Sequence, residues 1–259
     1  MRTLIIGANG QLGSDLLARV PGDVRGAMRP GLDVCDEESV AQAMREHRPD
    51  AVVNCAAQTN VDGCESAGGE AFAVNAAGAL HVARQCALAG AYLVHISTDY
   101  VFGDDAQRHA PYVECDAPGP VNVYGASKLA GETLVAAYAP SAAIVRTSGL
   151  YGRVGARGKG GNFVETMLRL CAGERPIRVV ADQRLSPTST WALAGTVAEL
   201  LSVKPRGVVH LAAANDCTWH EFACEIVHSV DPRRTVEAIP SAAYPTPARR
   251  PTYSVLGSE

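Results

Sequence analysis

The stretch Thr3-Leu-Ile-Ile-Gly-Ala-Asn-Gly-Gln-Leu-Gly13 decides the fold of this 259-residue chain. The residues from Thr3 to Ile6 predict a short buried strand, and those from Gln11 to Val20 predict a helix. Glycines at positions 7, 10 and 13, from the end of the strand to the first helical turn, carry no Cβ. A glycine turn between strand and helix leaves N–H groups at the helix start free to bind a dinucleotide pyrophosphate. A plain glycine turn with no ligand is the alternative.

Beyond this stretch, β-rich and helical segments alternate, which is typical of a parallel sheet with crossover helices. The predicted strands cover residues 24–28, 51–54, 91–96, 142–146 and 208–212, and the long helices 70–89, 126–138 and 190–203. We therefore expect an α/β fold with a Rossmann-type doubly wound parallel sheet. Residues 1–150 form the Rossmann domain, and residues 190–214 return to it.

Composition excludes several classes of function. The net charge of −4 and the absence of a basic run argue against binding to nucleic acid or to a membrane surface. No apolar stretch of 18 residues is present to span a bilayer. The eight cysteines form no C-x-x-C pair, and the histidines and cysteines show no metal-ligand spacing, so we expect no metal site. This cysteine pattern fits a reducing cytoplasm better than a disulfide framework.

Tyr124 and Lys128 are the strongest candidates for catalysis. They stand four residues apart on a predicted helix, so their side chains share one face. An ammonium beside a phenol lowers the phenol pKa from about 10, and the phenol then serves as general acid towards a carbonyl oxygen. The alternative is a surface pair at a helix start.

A polar segment follows the strand at 91–96, at the edge where open α/β sheets bind ligands. In the segment Ser97-Thr-Asp-Tyr-Val-Phe102, Thr98 offers a hydroxyl that could orient a carbonyl. Asp99 could accept a hydrogen bond from a sugar hydroxyl. Capping of the strand end by Ser and Thr is the alternative.

The end of the second predicted strand bears on the choice of cofactor. A carboxylate there would bind a ribose 2′-hydroxyl and repel a 2′-phosphate. This chain has Met28 and Arg29 instead, with Arg25 nearby, which favours NADPH over NADH. Asp33 comes later, and we place it beside the adenine.

The whole chain resembles the extended short-chain dehydrogenase/reductases and, within them, the dTDP-4-dehydrorhamnose reductase family. The matching segments follow one another in order over nearly the full length. They are Gly7 to Gly13, Arg48-Pro-Asp50, Asn54-Cys-Ala-Ala-Gln-Thr-Asn-Val-Asp62, Asn75, Ser97 to Phe102, Asn122-Val-Tyr-Gly-Ala-Ser-Lys-Leu-Ala-Gly-Glu132, Arg146-Thr147, Asn162-Phe163, Asp182-Gln183, Pro187-Thr188 and Arg250-Pro251.

The resemblance implies reduction by NADPH, with NADH as the alternative, of the C4 ketone of a nucleotide-activated 6-deoxy-4-keto sugar. The first candidate is conversion of dTDP-4-dehydro-L-rhamnose to dTDP-L-rhamnose. It implies a substrate lobe made of residues 151–189 and 215–259, and leaves a homodimer as one option. Its catalytic residues would be Thr98, Tyr124 and Lys128. The cofactor would contact Gly7, Gly10, Gln11, Leu12, Gly13, Ala56, Ala57, Thr59, Tyr124 and Lys128. To these we add Arg29 and Asp33, which follow the second predicted strand. The sugar would contact Thr98, Asp99, Tyr100 and Tyr124.

Three departures from the family pattern bear on these expectations. Gly149 stands where relatives usually carry tryptophan, which leaves the hexose open and admits a related ketoreductase of a specialised sugar pathway. The segment Arg184-Leu-Ser186 lacks a glycine that is usual in the family. The chain stops at Glu259, where relatives continue, so we expect a C-terminally truncated lobe. A nucleotide-sugar epimerase or dehydratase and a non-catalytic, cofactor-binding regulatory subunit are the further alternatives.

Overall fold

The computed structural model describes residues 1–154 and 161–258. Within that part of the chain a six-stranded sheet forms the centre. Its strands are β1 (Arg2–Ile6), β2 (Asp23–Ala27), β3 (Ala51–Asn54), β4 (Tyr92–Ile96), β5 (Ala143–Arg146) and β10 (Gly207–His210). They follow the order β10-β5-β4-β3-β1-β2, and all five neighbouring pairs are parallel. This arrangement confirms the expected Rossmann-type parallel sheet.

Helices cover both faces of the sheet because successive strand residues point to opposite sides. Ile5 packs in one core cluster with Leu16 and Val197, whereas Leu4 packs in the other with Val135. The helices are α1 (Gln11–Arg19), α2 (Glu37–His47), α3 (Val61–Ser66), α4 (Gly68–Phe72), α5 (Gly78–Ala89), α6 (Val123–Tyr138), α7 (Phe163–Cys171), α8 (Thr190–Val203) and α9 (Trp219–His228). Helices α1 and α8 lie on one face, and α2, α5 and α6 on the other. Among the residues described, no helix has the length and apolar character needed to cross a membrane.

The sheet order positions the candidate site. From β1 the chain adds β2 on one side, then returns to add β3 on the other side. Such a reversal opens a crevice at the carboxyl ends of the strands, where α/β sheets bind ligands. The glycine turn after β1 and the polar segment after β4 both lie at this edge.

A second group of short elements surrounds α7 and α9. Parallel strands β7 (Ile177–Val180) and β12 (Val236–Ile239) pair beside these helices, and Met167, Ile177 and Val227 share their core. Two shorter pairs belong to the same region: β6 (Leu150–Tyr151) pairs with β9 (Thr188–Ser189), and β8 (Arg184–Leu185) pairs with β11 (Cys217–Thr218). We keep the division into residues 1–150 with 190–214, and 151–189 with 215–259, as a proposal.

The structure differs from the sequence-based prediction in several local elements. The helix predicted over 70–89 contains a π-helical turn at Ala73–Ala77, between α4 and α5. The strands Ile177–Val180 and Val236–Ile239 were not predicted, because each is short and finds its partner far along the chain. Part of the predicted glycine-rich loop 152–161 lies outside the described residues.

Candidate active site

A groove of about 420 Å³ runs along the carboxyl edge of the sheet, from the glycine turn to helix α6. The sequence-predicted residues that line it are Gly7, Gly10, Gln11, Leu12, Gly13, Arg29, Ala56, Ala57, Thr59, Tyr124 and Lys128. Its other lining residues are Ile6, Asn9, Met28, Leu32, Val34, Cys55, Gln58, Glu70, Val74, Ile96, Ser97 and Leu150. One continuous groove therefore joins most of the predicted cofactor residues to the predicted catalytic tyrosine and lysine.

The glycine turn is shaped by contacts that leave no room for side chains. Gly7 has a φ of +79°, and a Cβ there would lie 3.0 Å from the backbone nitrogen of Ala56. A Cβ on Gly13 would lie 2.3 Å from the carbonyl oxygen of Gly7, so helix α1 packs directly on the turn. Gly10 begins α1 without a side-chain cap, which leaves N–H groups of the first helical turn facing the groove. These features fit a dinucleotide pyrophosphate.

Helix α6 begins beside the groove and carries Tyr124 and Lys128. The Asn122 side chain accepts a hydrogen bond of 2.8 Å from the backbone N–H of Gly125 and so caps the helix. Gly125 lets α6 approach the preceding loop, since a Cβ there would lie 2.1 Å from the carbonyl oxygen of Tyr100. The rings of Tyr100 and Tyr124 consequently meet edge to face, with centroids 6.0 Å apart. This local structure fixes where the Tyr124 phenol lies.

Lys128 is buried, with 2% of its surface exposed. Its Nζ donates a hydrogen bond of 2.7 Å to the carbonyl oxygen of Ile96, at the end of β4. Burial lowers the pKa of Lys128 to about 8, and the charge of Glu132 opposes this shift. The alternative of a surface pair at the helix start is thereby wrong, because Lys128 is enclosed between α6 and the sheet.

The pKa of the Tyr124 phenol differs from our expectation. We expected the Lys128 ammonium to lower it, but burial raises the pKa of Tyr124, and a hydrogen bond with Thr98 opposes that shift. The Lys128 ammonium donates to Ile96 instead. The phenol therefore stays protonated at neutral pH, which is the form that a proton donor must have.

Asp99 lies behind the groove rather than on its surface. It is 3% exposed, and its carboxylate accepts hydrogen bonds from the hydroxyls of Thr98, Ser148 and Ser254 at 3.1, 2.8 and 2.6 Å. Burial raises the pKa of Asp99 to about 6, while these hydrogen bonds act in the opposite direction. Protein hydroxyls donate to both carboxylate oxygens, and contact of Asp99 with a sugar hydroxyl stays a prediction.

A buried ion pair connects helix α6 to the sheet. Arg146 of β5 donates to both carboxylate oxygens of Glu132, at 3.1 Å from Nε and 2.8 Å from Nη2. The same carboxylate accepts a hydrogen bond of 2.5 Å from the hydroxyl of Ser97. Glu132 therefore connects α6, which carries Lys128, with the strand end that precedes Thr98. The sequence offered one signal for it, the spacing of four residues from Lys128.

Arg29 and Asp33 lie together at the adenine end expected from the sequence. Arg29 lines the groove, whereas Asp33 is not among the residues found to line it. The Arg29 guanidinium donates a hydrogen bond of 2.7 Å to the Asp33 carboxylate. The backbone N–H of Cys35 and then the Arg29 side chain lower the pKa of Asp33. Direct contact of Asp33 with a cofactor stays a prediction.

Comparison with known proteins gives the family. A family model described as the RmlD substrate binding domain matches residues 1–259. The chain belongs to the RmlD substrate binding domain family. It is 42% identical to a dTDP-4-dehydrorhamnose reductase of Mycobacterium tuberculosis, over 99% of this chain and 85% of that protein. It is 38% identical to the spore coat polysaccharide biosynthesis protein SpsK of Bacillus subtilis, over 98% of this chain and 88% of that protein.

A solved structure of the same family matches the fold closely. It is a dTDP-4-dehydrorhamnose reductase of Bacillus anthracis in complex with NADP, with a TM-score of 0.94 and 39% identity. The match covers 100% of this chain and 90% of that one. The resemblance inferred from sequence motifs is therefore confirmed at the level of family and fold.

Gly149, where we expected relatives to carry tryptophan, has a constrained backbone. Its φ is +54°, a conformation that side chains rarely adopt, and a Cβ there would lie 2.7 Å from Cδ1 of Leu185. Leu185 belongs to the segment that also departs from the family pattern. The two departures thus meet in space, and the backbone at Gly149 leaves no room for a large side chain while Leu185 is in place.

Proposed function

We propose that this chain reduces the C4 ketone of a nucleotide-activated 6-deoxy-4-keto sugar with NADPH, with dTDP-4-dehydro-L-rhamnose as the first candidate substrate. The observation that carries the proposal is the single groove that joins the glycine turn to Tyr124 and Lys128. Family membership and the NADP complex of the Bacillus anthracis relative agree with it.

NADPH, when bound, supplies the hydride. We assign its pyrophosphate to the N–H groups at the start of α1 and its 2′-phosphate to Arg29, because both line the same groove. Ala56 and Ala57 lack bulky side chains and line the groove after β3. Lys128 is assigned to the nicotinamide ribose, which would provide the buried ammonium with oxygen acceptors.

Tyr124 is assigned as the proton donor to the oxygen of the reduced ketone. Its phenol is protonated because burial raises the pKa of Tyr124. An alkoxide that forms beside the phenol takes up that proton, since its basicity exceeds that of the phenolate. Thr98 hydrogen-bonds with Tyr124, and the ammonium of Lys128 stabilises negative charge in this enclosed site.

An assay with a nucleotide-linked 4-keto-6-deoxy sugar tests the proposal. The purified protein should consume one NADPH for each sugar reduced, followed by the loss of NADPH absorbance. An epimerase or dehydratase, which regenerates its cofactor in each cycle, would convert the sugar without that loss. A cofactor-binding regulatory subunit would bind NADPH and convert no keto sugar.

The variant Tyr124→Phe should lower kcat by at least about a hundredfold, because it removes the proton donor. NADPH binding, measured by cofactor fluorescence, should change by less than about threefold, since one hydrogen bond to the cofactor is the most that is lost. Tyr138→Phe is the matched control, since Tyr138 lies on the same helix and is 48% exposed. Equal turnover of the Tyr124→Phe and Tyr138→Phe variants would remove Tyr124 from the chemistry.

We also propose a cytoplasmic location and a homodimer. The location is supported by the cysteines, all eight of which are free thiols. Light scattering of the purified protein at several concentrations tests the dimer, and a monomer mass at all of them would contradict it.

A further inference from the structure

Asp99 and its hydroxyl partners form a buried cluster next to the predicted catalytic groups. The hydroxyls come from three separate parts of the chain: Thr98 after β4, Ser148 after β5, and Ser254 near the C-terminal end. Thr98 donates to Oδ1 of the carboxylate, and the two serines donate to Oδ2. Because all four residues are at most 6% exposed, water does not compete for these hydrogen bonds.

The cluster fixes the direction of the Thr98 hydrogen bonds. An ionised carboxylate only accepts hydrogen bonds, so the single hydroxyl proton of Thr98 must point at Asp99. The oxygen of Thr98 then has only lone pairs for its other neighbours. One of these neighbours is the backbone N–H of Tyr100, which donates to Thr98 Oγ1 at 3.2 Å. The other is the Tyr124 phenol, which is hydrogen-bonded to Thr98.

The two serines are themselves held in place. The backbone N–H of Ser186 donates to Ser148 Oγ at 3.3 Å, so the Ser148 proton also points at Asp99. The backbone N–H of Ser254 donates to the carbonyl oxygen of Arg184 at 3.0 Å. The Asp99 carboxylate thus accepts hydrogen bonds from Ser148 and Ser254 at Oδ2 and from Thr98 at Oδ1.

We infer that Asp99 is a positioning residue for the proposed reduction, which holds Thr98 in its hydrogen bond with the Tyr124 phenol. The inference rests on the proposed function. It adds a task for Thr98 to the one expected from the sequence, which is to orient the carbonyl. It also makes Ser254, in the C-terminal segment, part of the geometry that orients the proton donor.

The variant Asp99→Asn tests the inference with little change in shape. An amide also donates hydrogen bonds, so the side chain at position 99 no longer has to accept the proton of Thr98, and the Thr98 hydroxyl is held less firmly. We expect kcat to fall about tenfold, the value of about one hydrogen bond, with the KM for NADPH within about twofold of the original. Thr98→Val should lower kcat as well, and in that background Asp99→Asn should have no further effect.

Asp15→Asn is the matched control. Asp15 is also buried and also accepts a threonine hydroxyl, that of Thr190 at 2.5 Å, but neither residue is among those found to line the groove. Its effect on kcat should be the same with and without the Thr98 hydroxyl, because independent sites combine additively in free energy.

The pattern of the double variants decides the outcome. If the Asp99→Asn and Thr98→Val losses multiply, Asp99 acts through general structure and the inference is overturned. Should Asp99→Asn fail to fold, Ser254→Ala replaces it in the same cycle, with an expected loss of a few-fold that also vanishes without the Thr98 hydroxyl. If the unmodified protein oxidises no NADPH with any keto sugar, the proposed function has failed, which is a separate result.

Discussion

Replacement of Glu132 by Gln should reveal how much Lys128, the proposed catalytic lysine, depends on the negative charge of the Glu132 carboxylate. The Glu132 and Arg146 side chains are only 5% and 4% exposed, and two hydrogen bonds of 2.8 and 3.1 Å join Arg146 Nη2 and Nε to the carboxylate. The Gln side chain keeps the size and one acceptor oxygen but removes the negative charge. Arg146 then stays buried without an ionic partner.

Two magnitudes follow from this burial. Removal of one member of a buried ion pair costs about 3–5 kcal/mol of unfolding free energy. The matched control is Glu38→Gln, which breaks the bond of 2.6 Å between Glu38 and Arg45, whose side chains are 76% and 61% exposed. That exposed pair should contribute less than about 1 kcal/mol. Urea denaturation at pH 7 measures both variants, and equal losses would refute the reasoning from burial.

A kinetic measurement separates electrostatics from stability. Glu132 raises the pKa of Lys128, which burial lowers to about 8. The ammonium is therefore lost as pH rises through about 8, and kcat/KM for NADPH should fall over that range. In Glu132→Gln this decline should begin at lower pH, whereas in Glu38→Gln it should stay in place. An unmoved decline in a folded Glu132→Gln protein would show that Lys128 does not depend on this charge.

Three further predictions follow from single groups. The pKa of Asp99 is raised from 3.8 to about 6 in the folded protein, so its contribution to stability is full below pH 3.8 and is lost as pH rises through about 6. Relative to the unmodified protein, Asp99→Asn should therefore gain about 3 kcal/mol of unfolding free energy between pH 4 and pH 7, measured with urea. Arg29→Ala should reduce the preference for NADPH over NADH in kcat/KM about tenfold, while Arg25→Ala, which removes an arginine paired with another carboxylate, should not. Gly149→Ala should lower the melting temperature more than Gly90→Ala, because both have positive φ but only Gly149 has atoms within 4 Å of the added Cβ.

The parallel sheet could be predicted from the sequence because its signals are local. Each strand at the centre of the sheet is a short apolar run, and all residues of β3 and β5 are buried, as such runs require. The glycine turn follows β1 directly, and the Tyr124–Lys128 pair lies within one turn of helix. The elements that escaped prediction include strands of two to four residues, such as β7 and β12, whose pairing depends on chain segments far apart.

The supporting groups of the site could not be predicted, because their partners are distant in sequence. Asp99 lies 49 residues from Ser148 and 155 residues from Ser254, and only the folded chain brings the three together. A carboxylate after a buried strand gives the same pattern whether it faces a ligand or faces serines of its own chain. The two cases differ in the hydrogen-bond donors that reach the carboxylate. A ligand-facing carboxylate would keep most of its acceptor capacity for a sugar, whereas the Asp99 carboxylate already accepts hydrogen bonds from three protein hydroxyls. A sequence can therefore point to candidate groups for the chemistry, whereas the contacts that hold those groups in place are set by packing between distant segments.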